Sequence, residues 1–495
     1  MSKKILFAMV GLTLCHTEIM AADCTLPPIK PLGIETWSAN QTTASLWRSL
    51  HQDELKTFST QQTGHADALP FNNNSLEEMS SWQSALDWLL GPLPNSCEPL
   101  QLKISATDLH LTPAEMAQAN ISPLQENGVT IGYHMRPANY FNIADTRAPW
   151  VRIYRLTYND PVGQRIPAYL LTPQKISKKA IPAVLVAHQA LAVCGKKEPL
   201  GVCLWSKGAN RVLALALEYA RRGFVVIAPD LPGYGELQDK NWNSLEYNTR
   251  NYRKVLARFP TSSELGTEVA YLKRAVDALF AQDIVRIKPR VGAVGHSKGA
   301  TLIPLLQIYD GRVKASLANA PGLHLFRTDD VSLYDSVVYN NQPQFPEGAI
   351  ARWCGWGYLP RMCFFDGNLA ALPIDFHHIQ ALALKKGPYF TVQIEDDGFP
   401  GYWPSIDFIN TQSDAMATRL QSEYDFRVVA SGLRGEDRWV DAEGMTGDQC
   451  LVNANGDLKK IWRCQTVLQH FYGHGVYPKT ILPLLNRMEE IMLGP

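Results

Sequence analysis

The chain has 495 residues, 46% of them hydrophobic, which is enough for a full core and more than one small domain needs. Its 47 basic and 47 acidic residues cancel. That balance excludes electrostatic capture of nucleic acid or of an anionic membrane surface as its main work.

Residues 1–22 read as an export signal. Lys3 and Lys4 precede a short apolar run at 5–14, and Ala21 and Ala22 supply small residues for cleavage. The run is too short to span a bilayer, and no later segment is long and apolar enough, so no stable membrane insertion is expected. Cys15 is a poor lipid-anchor site because bulky Leu14 precedes it. The chain is therefore expected to be exported, periplasmic or secreted. Nine cysteines are present; Cys15 leaves with the signal, and the others fall in neighbouring pairs, Cys24 with Cys97, Cys194 with Cys203, Cys354 with Cys363 and Cys450 with Cys464. An even count fits disulfides in an oxidising compartment. Neither C-x-x-C nor H-E-x-x-H occurs, so no metal and no cofactor is expected.

Residues 23–148 are expected to form a mainly helical accessory segment. Trp82, Leu86, Trp88 and Leu89 cluster on one helix, which Gly91-Pro92 ends. From 149 to 495, apolar strands alternate with amphipathic helices, the pattern of an α/β fold with a mostly parallel sheet and helices on both faces. Strands are expected in a run holding Val151, Tyr154 and Leu156, then at 166–171, 183–187, 224–228, 291–296, 313–318, 389–394 and 426–430. Helices are expected at 210–222 and after Thr261-Ser262-Ser263-Glu264, which reads as a capping box. Two insertions, 322–375 and 431–467, break the rhythm; long segments at strand ends commonly form lids or pocket walls.

The run Val291-Gly292-Ala293-Val294-Gly295-His296-Ser297-Lys298-Gly299-Ala300 is the most informative stretch. It is a buried strand passing through G-x-S-x-G into a helix, the layout of a nucleophile elbow. The two glycines let strand and helix approach, the turn lifts the Ser297 hydroxyl, and the Lys298 N–H becomes one half of an oxyanion hole. The second donor is expected at Gln189 or Ala190, after strand 183–187, and the sequence does not separate them. A serine hydroxyl needs a base, and the base an orienting acid, in the chain order serine, acid, histidine. The acid is expected in Glu395-Asp396-Asp397, straight after a strand. His474, in Phe471-Tyr472-Gly473-His474-Gly475, is the histidine in a loop late enough in the chain, whereas His470 reads as helical and His188 sits beside the oxyanion strand and shapes it. Lys298 has two readings: a solvated rim residue, or an ammonium close to the developing oxyanion.

With these residues in place the chain resembles the dienelactone hydrolase-like and acetyl xylan esterase-like branch of the α/β-hydrolase superfamily over roughly residues 150–495. The matching pieces are His188-Gln189, Gly195-Lys196-Lys197-Glu198-Pro199-Leu200-Gly201, Ala228-Pro229-Asp230-Leu231-Pro232-Gly233-Tyr234-Gly235, Gly295-His296-Ser297, Ile374-Asp375-Phe376-His377 and Gly473-His474. The branch commonly shows D-x-N-F in its acid loop, which points to Asp396; Gly398 replaces the asparagine, and Asp397 is a second carboxylate next door. Lys298 departs from the small or apolar residue usual after the nucleophile. Basic residues there occur in glucuronoyl-esterase-like relatives, which keeps a uronate ester open.

The resemblance implies an exported serine hydrolase that cleaves carboxylic esters, acetyl esters of carbohydrate among them, through Ser297, His474 and Asp396 and an acyl-enzyme. Its expected partner is a small-molecule or carbohydrate ester, not nucleic acid. A peptidase or uronate esterase with the same triad, and a non-catalytic binding module of the same fold, are the alternatives. The Gly195–Gly201 run reads as a structural loop.

Overall fold

The computed structural model describes residues 79–94, 98–135, 150–174, 179–190, 193–202, 214–238, 259, 262–321, 338–339, 342–343, 358–365, 374, 376–394, 427–431, 440–441, 464–470 and 478–494. The strands among them are β1 Lys103–Ser105, β2 Ile121–Glu126, β3 Val129–Met135, β4 Val151–Asn159, β5 Arg165–Pro173, β6 Ile181–Ala187, β7 Val225–Pro229, β8 Ile287–His296, β9 Val313–Asn319, β10 Val338–Tyr339, β11 Gln342–Pro343, β12 Tyr389–Ile394, β13 Arg427–Ser431, β14 Val440–Asp441 and β15 Cys464–His470. The helices are α1 Met79–Leu90, α2 Pro113–Gln118, α3 Leu215–Arg221, α4 Glu264–Ala281, α5 Lys298–Tyr309, α6 Phe376–Lys386 and α7 Pro478–Leu493.

One sheet runs in the order β14-β13-β15-β12-β9-β8-β6-β7-β5-β4-β3-β2, with β1 beside β4. From β7 through β6, β8, β9, β12 and β15 to β13 the neighbours are parallel; β5 is antiparallel to β4 and β7. This is the strand order and direction of an α/β-hydrolase sheet. The alternation expected from the sequence is visible in β6. Ala183, Leu185 and Ala187 join the core under α1, α4, α5 and α6, while Val184 and Val186 join the core under α3 and α7. Both faces are buried, which is why these strands read as unbroken apolar runs.

Chain order places the site. From β6 the chain crosses to β7 on one side, then returns to β8 on the other. The connections diverge between β6 and β8, leaving a crevice beyond their carboxyl ends where ligands bind in open α/β sheets.

Three expectations need correction. The segment read as mainly helical supplies β1, β2 and β3, which extend the sheet from β4. The overlooked signal was Asn127-Gly128: both residues have positive φ, 51° and 78°, and form the tight turn between β2 and β3. The capping box at 261–264 does not form. Ser263 caps α4 by accepting from the Gly266 N–H at 2.9 Å, and Glu264 turns its carboxylate elsewhere. Finally, His470 ends β15 instead of lying on a helix, and β15 takes residues 464–467 from the expected second insertion. Helix α1 forms as expected, with Trp82, Leu86 and Leu89 buried in the same core as α4 and α5.

Candidate active site

Ser297 stands between the last residue of β8 and the first of α5, with φ 52° and ψ −115°. That conformation is costly for any residue with a side chain and persists only where the surroundings impose it. Here the backbone imposes it. A Cβ on Gly295 would lie 2.3 Å from the Gly299 carbonyl carbon, and one on Gly299 would lie 2.3 Å from the Ala187 oxygen. The Ser297 N–H donates to the Asn319 carbonyl at 2.9 Å, tying the turn to β9, and the Gly299 N–H donates to the His188 carbonyl at 3.1 Å, tying it to β6. His296 and Lys298 are buried, while Ser297 between them is partly exposed. Among the described residues the Lys298 N–H finds no acceptor.

The turn after β6 is equally constrained. His188 is fully buried, and burial drives its pKa down to about 3, with the nearby Lys298 and Lys196 charges adding to the effect against the opposing bond to Gln189. The imidazole is therefore neutral. Its Nε2 accepts from the Leu231 N–H at 2.9 Å, which leaves the proton on Nδ1 to donate to the Gln189 carbonyl at 2.6 Å. The Gln189 N–H is also committed: it donates to Glu198 Oε2 at 2.7 Å. The next residue, Ala190, is exposed, and its N–H donates to no described residue.

Lys298 does not match the first expectation for its side chain. It is 1% exposed, so it is not a solvated rim residue. Its ammonium hydrogen-bonds Glu264, lies 2.9 Å from Glu268 Oε1 as an ion pair, and sits 5.1 Å and 4.9 Å from the ring centres of Tyr234 and Tyr358. Burial would lower its pKa, but the two carboxylates outweigh burial and hold it well above the ordinary lysine value. Glu264 and Glu268 are four apart on α4, on one face of the helix. Two acids on that face of a largely apolar helix were the signal that a buried cation would meet them.

Asp396, Asp397 and His474 lie outside the described residues. The strands that lead to them are described. Ile394, the last residue of β12, is paired with His470, the last of β15. The carboxyl ends of β12 and β15, adjacent parallel strands about 4.8 Å apart, lie at the same end of the sheet as Ser297. Among the described residues no cluster of His, Cys, Asp or Glu could hold a metal, and no helix is long and apolar enough to cross a membrane. Cys194 is disulfide-bonded; Cys203 lies outside the described residues.

No family model matches the chain, and no curated protein matches it. Solved structures similar to it include a glucuronoyl esterase from Solibacter usitatus, at 12% identity and TM-score 0.47, covering 84% of this chain and 92% of that one. Another is an acetyl xylan esterase from a Paenibacillus species, at 14% identity and TM-score 0.39, covering 83% and 93%. A glucuronoyl esterase from Teredinibacter turnerae matches at 12% identity and TM-score 0.45, covering 84% and 86%. The fold assignment rests on the strand order and the elbow, and these likenesses add nothing to it.

Proposed function

We propose that the chain is a serine-dependent hydrolase of carboxylic esters. The observation that carries this reading is the Ser297 turn: a strained, partly exposed serine between buried neighbours, at the carboxyl end of β8, followed by an uncommitted N–H on Lys298. In this reading Ser297 Oγ attacks the ester carbonyl while His474 takes its proton. The alcohol leaves with a proton from His474, and water, activated by the same imidazole, then releases the acid. Asp396 orients the imidazole. The oxyanion rests on the Lys298 N–H and a donor from the turn after β6.

The enclosed ammonium favours neutral substrates. A substrate carboxylate would have to reach a side chain that is 1% exposed and already faces Glu264 and Glu268. The basic residue after the nucleophile therefore no longer argues for a uronate, and acetyl esters of carbohydrate are the substrate class we favour. Export is supported by the N-terminal pattern and by the bonded Cys194.

The test is covalent labelling with a fluorophosphonate, followed by hydrolysis of acetylated sugars, uronate esters and peptides. Label is expected on Ser297. Ser297→Ala is expected to remove the label and to lower ester hydrolysis at least about 10⁴-fold. Label that survives Ser297→Ala, or a wild type that hydrolyses no ester, would overturn the reading.

A further inference from the structure

We propose that Glu198 is a positioning residue for the oxyanion hole: its carboxyl takes the Gln189 N–H and thereby aims the Ala190 N–H at the site as the second donor. The inference rests on the serine-hydrolase reading and adds to it a residue, and a choice between two donors, that the motif alone does not give.

The argument begins with what is already taken. At the carboxyl end of β6 the His188 carbonyl accepts from Gly299, the His188 ring bridges the Leu231 N–H and the Gln189 carbonyl, and the Gln189 N–H goes to Glu198. Each of these groups is buried and paired. A buried N–H does not give up an acceptor at 2.7 Å to serve a transient oxyanion. The first N–H past this knot is that of Ala190, where the chain reaches the surface. The bond from Gly299 to His188 joins this turn to the residue that follows Lys298, so both proposed donors ride on one hydrogen-bonded unit.

Glu198 is well built for the task. It is 2% exposed, and burial raises its pKa well above the ordinary glutamate value, with the Gln189 N–H only partly opposing. A neutral carboxyl is what the amide of glutamine copies. The acid is presented by a 3-10 turn, Gly195–Leu200, whose first residues are fixed to Asp230: the Lys196 N–H donates to Oδ1 at 2.6 Å and its ammonium to Oδ2 at 2.7 Å. The disulfide at Cys194 precedes the turn, and the Gly201 N–H closes it on the Glu198 carbonyl at 2.8 Å. A carboxyl whose only task was to fill space would need none of this support.

The experiment compares Glu198→Ala and Glu198→Gln in the full-length protein, reading kcat, KM and the rate of fluorophosphonate labelling at Ser297. Glu198→Ala is expected to lower kcat and the labelling rate about 10- to 100-fold, with KM within about twofold of wild type; outright removal of a donor costs about 10²–10³. Glu198→Gln keeps an acceptor in place and is expected to recover most of the loss. Should Glu198→Ala fail to fold, Glu198→Asp, which draws the acceptor back by one methylene, is expected to give the same loss of kcat at smaller amplitude. A labelled wild type with Glu198→Ala or Glu198→Asp labelled just as fast overturns the proposal, as does equal damage in Ala and Gln. A wild type that takes no label counts against the serine-hydrolase reading instead.

Discussion

Lys196 and Lys298 are both buried, and each is enclosed by two carboxylates and the face of at least one tyrosine. Lys196 braces the turn that carries Glu198; Lys298 braces the elbow. Yet one acid beside each titrates in the opposite direction, Glu236 down and Glu268 up. Glu236 meets Lys196 at 2.5 Å, Arg155 at 2.6 Å and His110 at 3.0 Å, and is 25% exposed. Burial alone would raise its pKa, but Arg155 and Lys196 pull it down to about 2. Among the described residues Glu268 meets one cation, Lys298, which it shares with Glu264, and it is fully buried. Burial pushes its pKa up to about 8, with Glu264 adding to the rise and Lys298 only partly opposing it. The first cluster reaches neutrality with a second cation, the second by keeping a proton. Cation count and burial both tell: Glu236, partly exposed and met by two cations, goes down, while fully buried Asp230 beside it is raised by burial, with Lys196 only partly opposing.

The largest effect that separates the clusters is expected from removing the cations. Lys298→Met strands two buried carboxyls and should cost about 3–5 kcal/mol at pH 7, the scale for breaking a buried ion pair. Lowering the pH towards 4.5 should restore much of that, because the cost of keeping buried carboxyls protonated falls as the pH nears their ordinary value. Lys196→Met should destabilise with a weaker pH dependence, because Arg155 still holds Glu236 and two backbone N–H groups still hold Asp230. Urea unfolding at pH 5 and pH 8 reads both, and equal pH slopes would break the comparison.

Smaller, and opposite in sign, are the effects of neutralising one acid in each cluster. Glu268 binds its proton more tightly folded than unfolded. Its contribution is complete below its ordinary 4.5 and is lost as pH rises through about 8. Glu268→Gln should therefore flatten the fall in stability from pH 4.5 to 8. Glu236 has the reverse linkage: its contribution is present above 4.5 and is lost as pH falls towards about 2. Glu236→Gln should flatten only the acid limb. Unfolding midpoints across pH 3–9 check both, and a common limb for the two variants would contradict them. Least is expected from Tyr358→Leu, which removes a ring face 4.9 Å from the Lys298 ammonium. A desolvated cation–π contact is worth about 2 kcal/mol, and urea unfolding at pH 7 measures it.

What the sequence made legible follows the range of the forces involved. Strand β12 was expected at 389–394 and lies at Tyr389–Ile394; the elbow, α1 and the parallel strands other than β15 were equally plain, because one residue's neighbours in the chain set the pattern. Strands β2 and β3 were missed because their faces are largely exposed, so apolar alternation is weak there and only the Asn127-Gly128 turn betrays them. Glu264 was taken for a cap because the local motif allowed it. The partner that recruits it, Lys298, is 34 residues away, and no local reading brings the two together. Glu198 stood in plain view within the Gly195–Gly201 run, but its task depends on where β6 ends in space. Asp396 and His474 remain expectations supported by the strands that lead to them.

The backbone of Ser297 has a consequence for the molecule's history as well as its chemistry. With φ at 52° and ψ at −115°, the serine occupies a conformation that glycine adopts freely. Such strain costs about 1–3 kcal/mol, and glycine gives back only about 0.4–1 kcal/mol of it through its freer unfolded chain. Ser297→Gly should thus raise the unfolding midpoint while ending turnover. Selection for stability alone would erase this serine. A lineage released from the need to hydrolyse its substrate should drift towards glycine at this position before it loses the fold.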